Sequence, residues 1–198
     1  MRQFLVVGHD APTTPEFSLD DIAGGAGRLD VLCRCVTSAV FLSHSVREAV
    51  RIHLVLGDEF TVRVDGATVK RLNPDERSTA ALIRTALEHR EEAIGRMPAE
   101  STPGVTIRRM DFAATLEALE ADATVVTLHE DGDPAVDVDP PADPLFVLSD
   151  HREFTGAESS LLSATADERL RLGPEVLHAD HAITVAHNYL DTDGYTTY

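Results

Sequence analysis

Two clusters in this chain could do acid–base chemistry: an aspartate between two arginines (Arg28, Asp30 and Arg34), and a second set at Asp75, Arg77 and Arg84. A carboxylate within hydrogen-bond reach of a reacting N–H can take its proton, and a guanidinium can stabilise negative charge growing on a neighbouring carbonyl. Each set also has a structural explanation. Asp30 and Arg34 have the i,i+4 spacing of an ordinary intrahelical ion pair. Asp75 lies in Asn73-Pro74-Asp75-Glu76, a helix start with an N-cap, a proline in the first position and acids in the first turn. Arginines such as Arg77 and Arg84, two turns apart, are usually solvated helix surface. A third candidate is His178, His181 and His187 with Asp180, as metal ligands of a hydrolase. His178 and His181 could share a helix face, but His187 falls off it and no HExxH occurs.

The elements that must position these groups are read from periodicity. Residues 2–8 form a strand, and from Gly27 the stretch GRLDVLCRCVTSAVFLSHSVR has Leu29, Leu32, Val36, Ala39, Val40 and Ser43 at helical spacing. Arg51–Leu56 and Phe60–Val64 are strands joined at Gly57-Asp58. A helix follows Asn73, Ser101–Gly104 is a turn, Val105–Met110 a strand and Phe112–Glu120 a helix. Three apolar strands come next, at 124–128, 145–148 and 169–172. An acidic loop from Asp131 to Asp143 follows the first of them, and a helix from Gly156 to Ala164 follows the second. The third meets a Gly173-Pro174 break before a His-rich helix, and Tyr195–Tyr198 is a frayed end. Strands alternating with helices predict an α/β fold with a largely parallel sheet. The three strand ends Leu128-His129-Glu130, Ser149-Asp150-His151 and Gly173-Pro174 then converge on one sheet edge, where such folds bind ligands. No GxGxxG or Walker A pattern is present.

Composition narrows the class. At 198 residues the chain is long enough for a single substantial core. Cys33 and Cys35, one residue apart, cannot readily bridge, and two cysteines do not complete a metal cage. No run has the length of a membrane span and the N-terminus lacks the pattern of a signal peptide, so a cytoplasmic location is expected. The net charge is −17, and Lys70 is the only lysine among 17 basic residues. Such an acid-rich, lysine-poor surface stays hydrated in concentrated salt, which predicts a halophilic source. The charge is lopsided: residues 1–110 hold 14 basic against 15 acidic groups, residues 111–198 only 3 against 19. The first half can therefore offer a basic face to a polyanion.

Six motifs, GRLDVLCRC (27–35), VFLSHSVR (40–47), NPDER (73–77), STPGVTIRR (101–109), FVLSDH (146–151) and LGPEVLHADHAITVAHNYLD (172–191), occur in the order of one family and span nearly the whole chain. In them the sequence resembles the archaeal tRNA (pseudouridine-N1)-methyltransferases of the SPOUT superfamily, relatives of the ribosome-biogenesis pseudouridine methyltransferases. The resemblance implies a parallel-rich α/β domain closed by a C-terminal trefoil knot, a topology that periodicity cannot reveal. It also implies a homodimer, with S-adenosylmethionine (SAM) held in the knot.

By the same resemblance the cofactor lies against Leu128, Ser149, Leu172, Gly173, Pro174, Glu175, Val176, Leu177 and Ala182. Some relatives have glycine where Ser149 stands and cysteine where Ala182 stands, so no thiol at 182 can be required for chemistry here. The implied reaction is methylation of N1 of pseudouridine 54 in the T-loop of tRNA, with no metal. Asp30, Asp75 and Arg77 are its candidate catalytic residues, and Arg28, Arg34 and Arg84 are candidates to hold the RNA. One domain is expected, with an RNA-facing half (1–110) and a SAM-binding, knotted half (111–198). An rRNA pseudouridine substrate is the nearest alternative.

Overall fold

Every strand joins one eight-stranded sheet in the computed structural model, which describes residues 1–198. The strands are β1 (Arg2–Gly8), β2 (Val50–Leu56), β3 (Phe60–Asp65), β4 (Ala99–Thr102), β5 (Val105–Arg108), β6 (Thr124–Pro134), β7 (Pro144–Ser149) and β8 (Glu168–Arg171). Their order is β4-β5-β3-β2-β1-β7-β6-β8. The five strands from β2 to β8 in that order are parallel, whereas β3, β5 and β4 add an antiparallel flank. Side chains alternate along each strand, so β1 sends Phe4 and Val6 to one core and Leu5 and Val7 to another. The larger core lies under α1 (Leu29–Val40), α2 (Glu76–Glu88) and α5 (Ala179–Asp191). The smaller one lies under α3 (Phe112–Glu120) and α4 (Gly156–Thr165). Burial on both faces is why β1 and β7 read as continuous apolar runs rather than alternating ones.

Several boundaries differ from the sequence reading. The first helix starts at Leu29, because Gly27 and Arg28 both adopt left-handed backbone (φ 55° and 60°), and it stops at Val40, where Phe41 and Val46 close a small bridge. A side chain at Gly27 would put its Cβ 1.7 Å from the Asp10 carbonyl oxygen, so glycine is required there. The second helix is capped by Asp75 and not by Asn73: its carboxylate accepts from Ser78 N–H at 2.8 Å. Part of the expected turn at 101–104 is strand β4, leaving Pro103-Gly104 as the reversal. The terminal segment is only partly loose, since the Tyr195 ring lies 5.6 Å from that of buried Tyr189 while Tyr198 is fully exposed.

The expected loop after β6 also behaves differently. The strand leaves its register after Leu128 and resumes at Asp133, and both residues are partnered with Leu170 of β8. Between them the chain passes tightly over β8, where a Cβ on Gly132 would lie 2.5 Å from the Leu170 carbonyl carbon. One residue of β8 is therefore engaged by two points of a single excursion of β6.

Candidate cofactor and substrate site

The C-terminal ends of β7 and β8, with the point at Leu128 where β6 leaves its register, open into a cavity of about 390 Å³, within the usual size range for a cofactor pocket. Its walls include Leu128, Ser149, Leu172 to Leu177 and Ala182, with Leu148 and Leu170 as apolar floor. The structure thus gathers around one cavity the residues assigned to the cofactor by resemblance. The segment from Gly173 to Leu177 is neither helix nor strand, and its N–H groups donate to no backbone or side-chain acceptor. Free N–H groups facing a cavity are ready donors for a ligand edge. The Ser149 hydroxyl is buried without a partner and sits at this wall.

Sequence reasoning missed the group that holds the middle loop in place. His9, one residue beyond β1, donates its backbone N–H to Asp150 Oδ2 at 2.9 Å. Its ring Nδ1 lies 3.0 Å from Asp150 Oδ1 and its Nε2 lies 3.1 Å from Glu158 Oε2. Asp150 lines the cavity and also accepts from Arg152 N–H. Glu158 completes the capping box of α4 with Thr155. With a carboxylate at each nitrogen, only the imidazolium donates to both. Burial alone would lower the pKa of His9, but Asp150 and Glu158 raise it above the usual histidine value. The motif FVLSDH contained Asp150; nothing in the sequence linked it to His9.

Over the rim of the cavity stands Arg28, aimed by the two left-handed residues that open α1. It grips Asp30 with two hydrogen bonds, Nε to Oδ1 at 3.0 Å and Nη2 to Oδ2 at 3.1 Å. Arg34 Nη1 adds a third, to Oδ2, at 2.8 Å. Asp30 is buried; burial would raise its pKa, but these two guanidiniums hold it below the usual carboxylate range. Arg34 also reaches Glu76 at 3.2 Å and lies 3.5 Å from Asp180, whose other carboxylate oxygen is buried without a partner. This network ties α1 to the starts of α2 and α5. Glu76 and Asp180 were in recognised motifs, but only the packing of three helices shows that they share Arg34.

The second predicted set is arranged differently. Asp75 is occupied as the α2 cap, and Arg77 binds Asp20 and the Leu19 carbonyl rather than Asp75. Arg84 lies further along α2 and forms no ion pair. Nor do the histidines converge. The rings of His178 and His181 are 6.0 Å apart, while His187 is buried, with Nε2 at 3.0 Å from the Ala39 carbonyl and Nδ1 at 3.2 Å from Arg2. Burial, then Arg47 and Arg2, push the pKa of His187 down to about 4, so this histidine is a neutral core residue.

Comparison with known proteins agrees with this geometry. Residues 1–195 match the family described as "Putative SAM-dependent RNA methyltransferase". A protein of Haloferax volcanii named tRNA (pseudouridine(54)-N(1))-methyltransferase is 76% identical over 198 residues, covering 100% of both chains. Proteins of the same name from Haloarcula marismortui and Methanocella arvoryzae are 67% and 43% identical, covering 100% of both chains and 93% and 96% of the two chains respectively. Among solved structures, Nep1 of Archaeoglobus fulgidus bound to S-adenosylhomocysteine superimposes with a TM-score of 0.61 at 13% identity, over 92% of this chain and 94% of that one. The fold is the shared one, a mixed α/β sheet with mostly parallel strands. With a matching family model over almost its whole length and full-length relatives of one name, this chain belongs to the SAM-dependent RNA methyltransferases, in the family of the tRNA (pseudouridine(54)-N(1))-methyltransferases.

Proposed function

We propose that this protein transfers the methyl group of SAM to N1 of pseudouridine 54 in tRNA. The observation that carries the reading is the cavity at the ends of β7 and β8 and at Leu128 of β6, with the Arg28–Asp30–Arg34 cluster at its rim. The cavity suits SAM: apolar floor for the adenine, free backbone donors along 173–177, and an acid-rich surrounding half for a cationic cofactor. SAM supplies an electrophilic methyl on sulfonium. The chain has then to align the base, shield the reacting atoms from water and manage one proton.

In the transfer the N1–methyl bond forms as the sulfur–methyl bond breaks, the sulfur keeps the electron pair, and the N1 proton must leave. Asp30 already accepts three N–H donors, so it holds a proton weakly and serves chiefly to orient two guanidiniums. Arg28 faces the cavity with its side chain 44% exposed, and is the group that would stabilise charge on the base carbonyl beside N1. With Asp30 saturated by its three donors, the N1 proton leaves to solvent. Asp75 supports the site by capping α2, from which Glu76 meets Arg34.

The remaining family traits are part of the same reading. The double partnership of Leu170 and the close pass of Gly132 over it support a knot in which β8 threads the 128–134 excursion. The half carrying β6, β7 and β8 would hold SAM and the charge-neutral half would face RNA, in a homodimer. The organisms of the most similar relatives and the surface charge favour a halophilic, cytoplasmic enzyme. Mass spectrometry of tRNA from a deletion strain tests the proposal, which fails if N1-methylpseudouridine persists at position 54.

A further inference from the structure

The charge-neutral half carries a second basic feature that the rim cluster does not use. Arg51 on β2, Arg63 on β3 and Arg108 on β5 project from the sheet face that also carries Leu5 and Val55, opposite α1. The register pairs Arg51 with Asp65, His53 with Arg63 and Thr61 with Arg108, so Arg63 is the diagonal neighbour of both other arginines. Diagonal neighbours across strands stand roughly 7–8 Å apart, comparable to successive phosphates along an RNA strand. The three form a row across three strands.

These arginines are poorly neutralised within the chain. Arg51 Nε binds Asp65 at 2.8 Å, whereas Arg63 and Arg108 take part in no ion pair although the chain has 34 acidic residues. Glu100 on β4, opposite Thr106 on the same face, pairs with none of them. The Nε atoms of both Arg63 and Arg108 are buried without a partner. Burial, followed by the charges of Arg51 and Arg108, lowers the pKa of Arg63. His53, beneath the row, is driven down to about 3 by burial and the same three arginines, and stays neutral. Three clustered cations held partly out of water, with only Asp65 and Glu100 as nearby counter-charges, are costly, and an external anion lowers that cost.

We infer that Arg51, Arg63 and Arg108 form a platform for the sugar-phosphate backbone of the tRNA substrate, outside the T-loop. The inference rests on the proposed function for the identity of the RNA. Guanidinium forks match phosphate oxygens two at a time, and a row of forks fits a polyanion better than a single small anion. The row centres on β3, three strands from β7, about 14 Å at the usual strand spacing. That is beyond the reach of the reacting base yet well within the dimensions of a tRNA, whose stem would pass around the β4–β5 edge.

Binding of full-length tRNA and of an isolated T-arm hairpin, measured by fluorescence anisotropy across a KCl series, tests the platform with wild type, R63Q/R108Q and R63K/R108K. The glutamine variant is expected to weaken full-length tRNA binding on the order of tenfold and to lower the slope of log affinity against log salt by about 0.7–0.9 per lost phosphate contact. The KM for tRNA rises accordingly while kcat holds, hairpin binding stays unchanged, and the lysine variant recovers part of the loss. Unchanged SAM affinity shows that the fold is intact. Equal tRNA affinity and salt slope in wild type and R63Q/R108Q would overturn the platform. Failure of the wild type to methylate pseudouridine in the hairpin would instead overturn the proposed function.

Discussion

The loop that walls the cavity at Asp150 depends on the charge of His9, and this gives a pH dependence whose sign follows from the geometry. Both ring nitrogens face carboxylates, and the ring is only 10% exposed. The pKa of His9 is raised in the folded protein above the ordinary value of 6.5. Its contribution is therefore complete below about pH 6.5 and is lost as pH rises through the raised folded-state value. Hydrogen bonds to charged groups are worth about 1.5–3 kcal/mol each, but part of this is screened at the rim of the site. We assign about 2 kcal/mol to the clamp, or a Tm decrease of roughly 4–8 °C on its loss in a chain of this size. His9→Gln removes it, because an amide cannot donate to carboxylates on opposite sides. Calorimetric SAM binding should weaken about tenfold in the variant at low pH, and the wild-type affinity should fall toward the variant's as pH rises. His129, His151 and His178 also line the cavity, so the quantity of interest is the difference between wild type and variant at each pH. A difference that stays constant with pH would refute the clamp.

Other outcomes follow from single residues. Asp30→Asn removes the acceptor that orients Arg28 and Arg34; single-turnover methyl transfer should fall on the order of a hundredfold with SAM affinity nearly unchanged, and full activity would show that the cluster only packs. Asp75→Ala should cost about 1 kcal/mol of stability through the lost cap, read as a lower Tm, without the loss of turnover seen for Asp30→Asn. Gly132→Ala places a Cβ 2.5 Å from the Leu170 carbonyl carbon and should reduce both stability and SAM binding, in contrast to Gly156→Ala, where a Cβ meets nothing within 4 Å.

The sheet and the convergence of three loops on one cavity were legible in the sequence for physical reasons. Apolar runs such as Leu145–Leu148 are what strands buried on both faces require, and parallel strands bring their following loops to one edge. Helix starts were less legible, because the left-handed residues Gly27 and Arg28 end one conformation without announcing it in hydropathy, and because Asn73 and Asp75 are both competent caps. Polar networks between distant segments were not legible at all. His9 meets Glu158 across 149 residues, and Asp30, Glu76 and Asp180 meet only through Arg34. Hydropathy encodes which face of an element is buried, but carries no record of which polar ends meet once three helices pack together. The return of β6 past β8 was hidden for a related reason: Asp131 to Asp143 is acidic and proline-bearing, and its pairing at Asp133 and Pro134 comes from the close pass over Leu170.

Methyl transfer to N1 requires a base whose N1 carries a proton, as in pseudouridine, and not a bond to ribose, as in uridine. The most direct test incubates the purified protein with SAM and two tRNA transcripts that differ only in carrying pseudouridine or uridine at position 54, followed by nucleoside mass spectrometry. We predict one added methyl group at position 54 of the pseudouridine transcript and none on the uridine transcript, whose N1 is bound to ribose. Methylation of both transcripts, or of neither, would contradict the account.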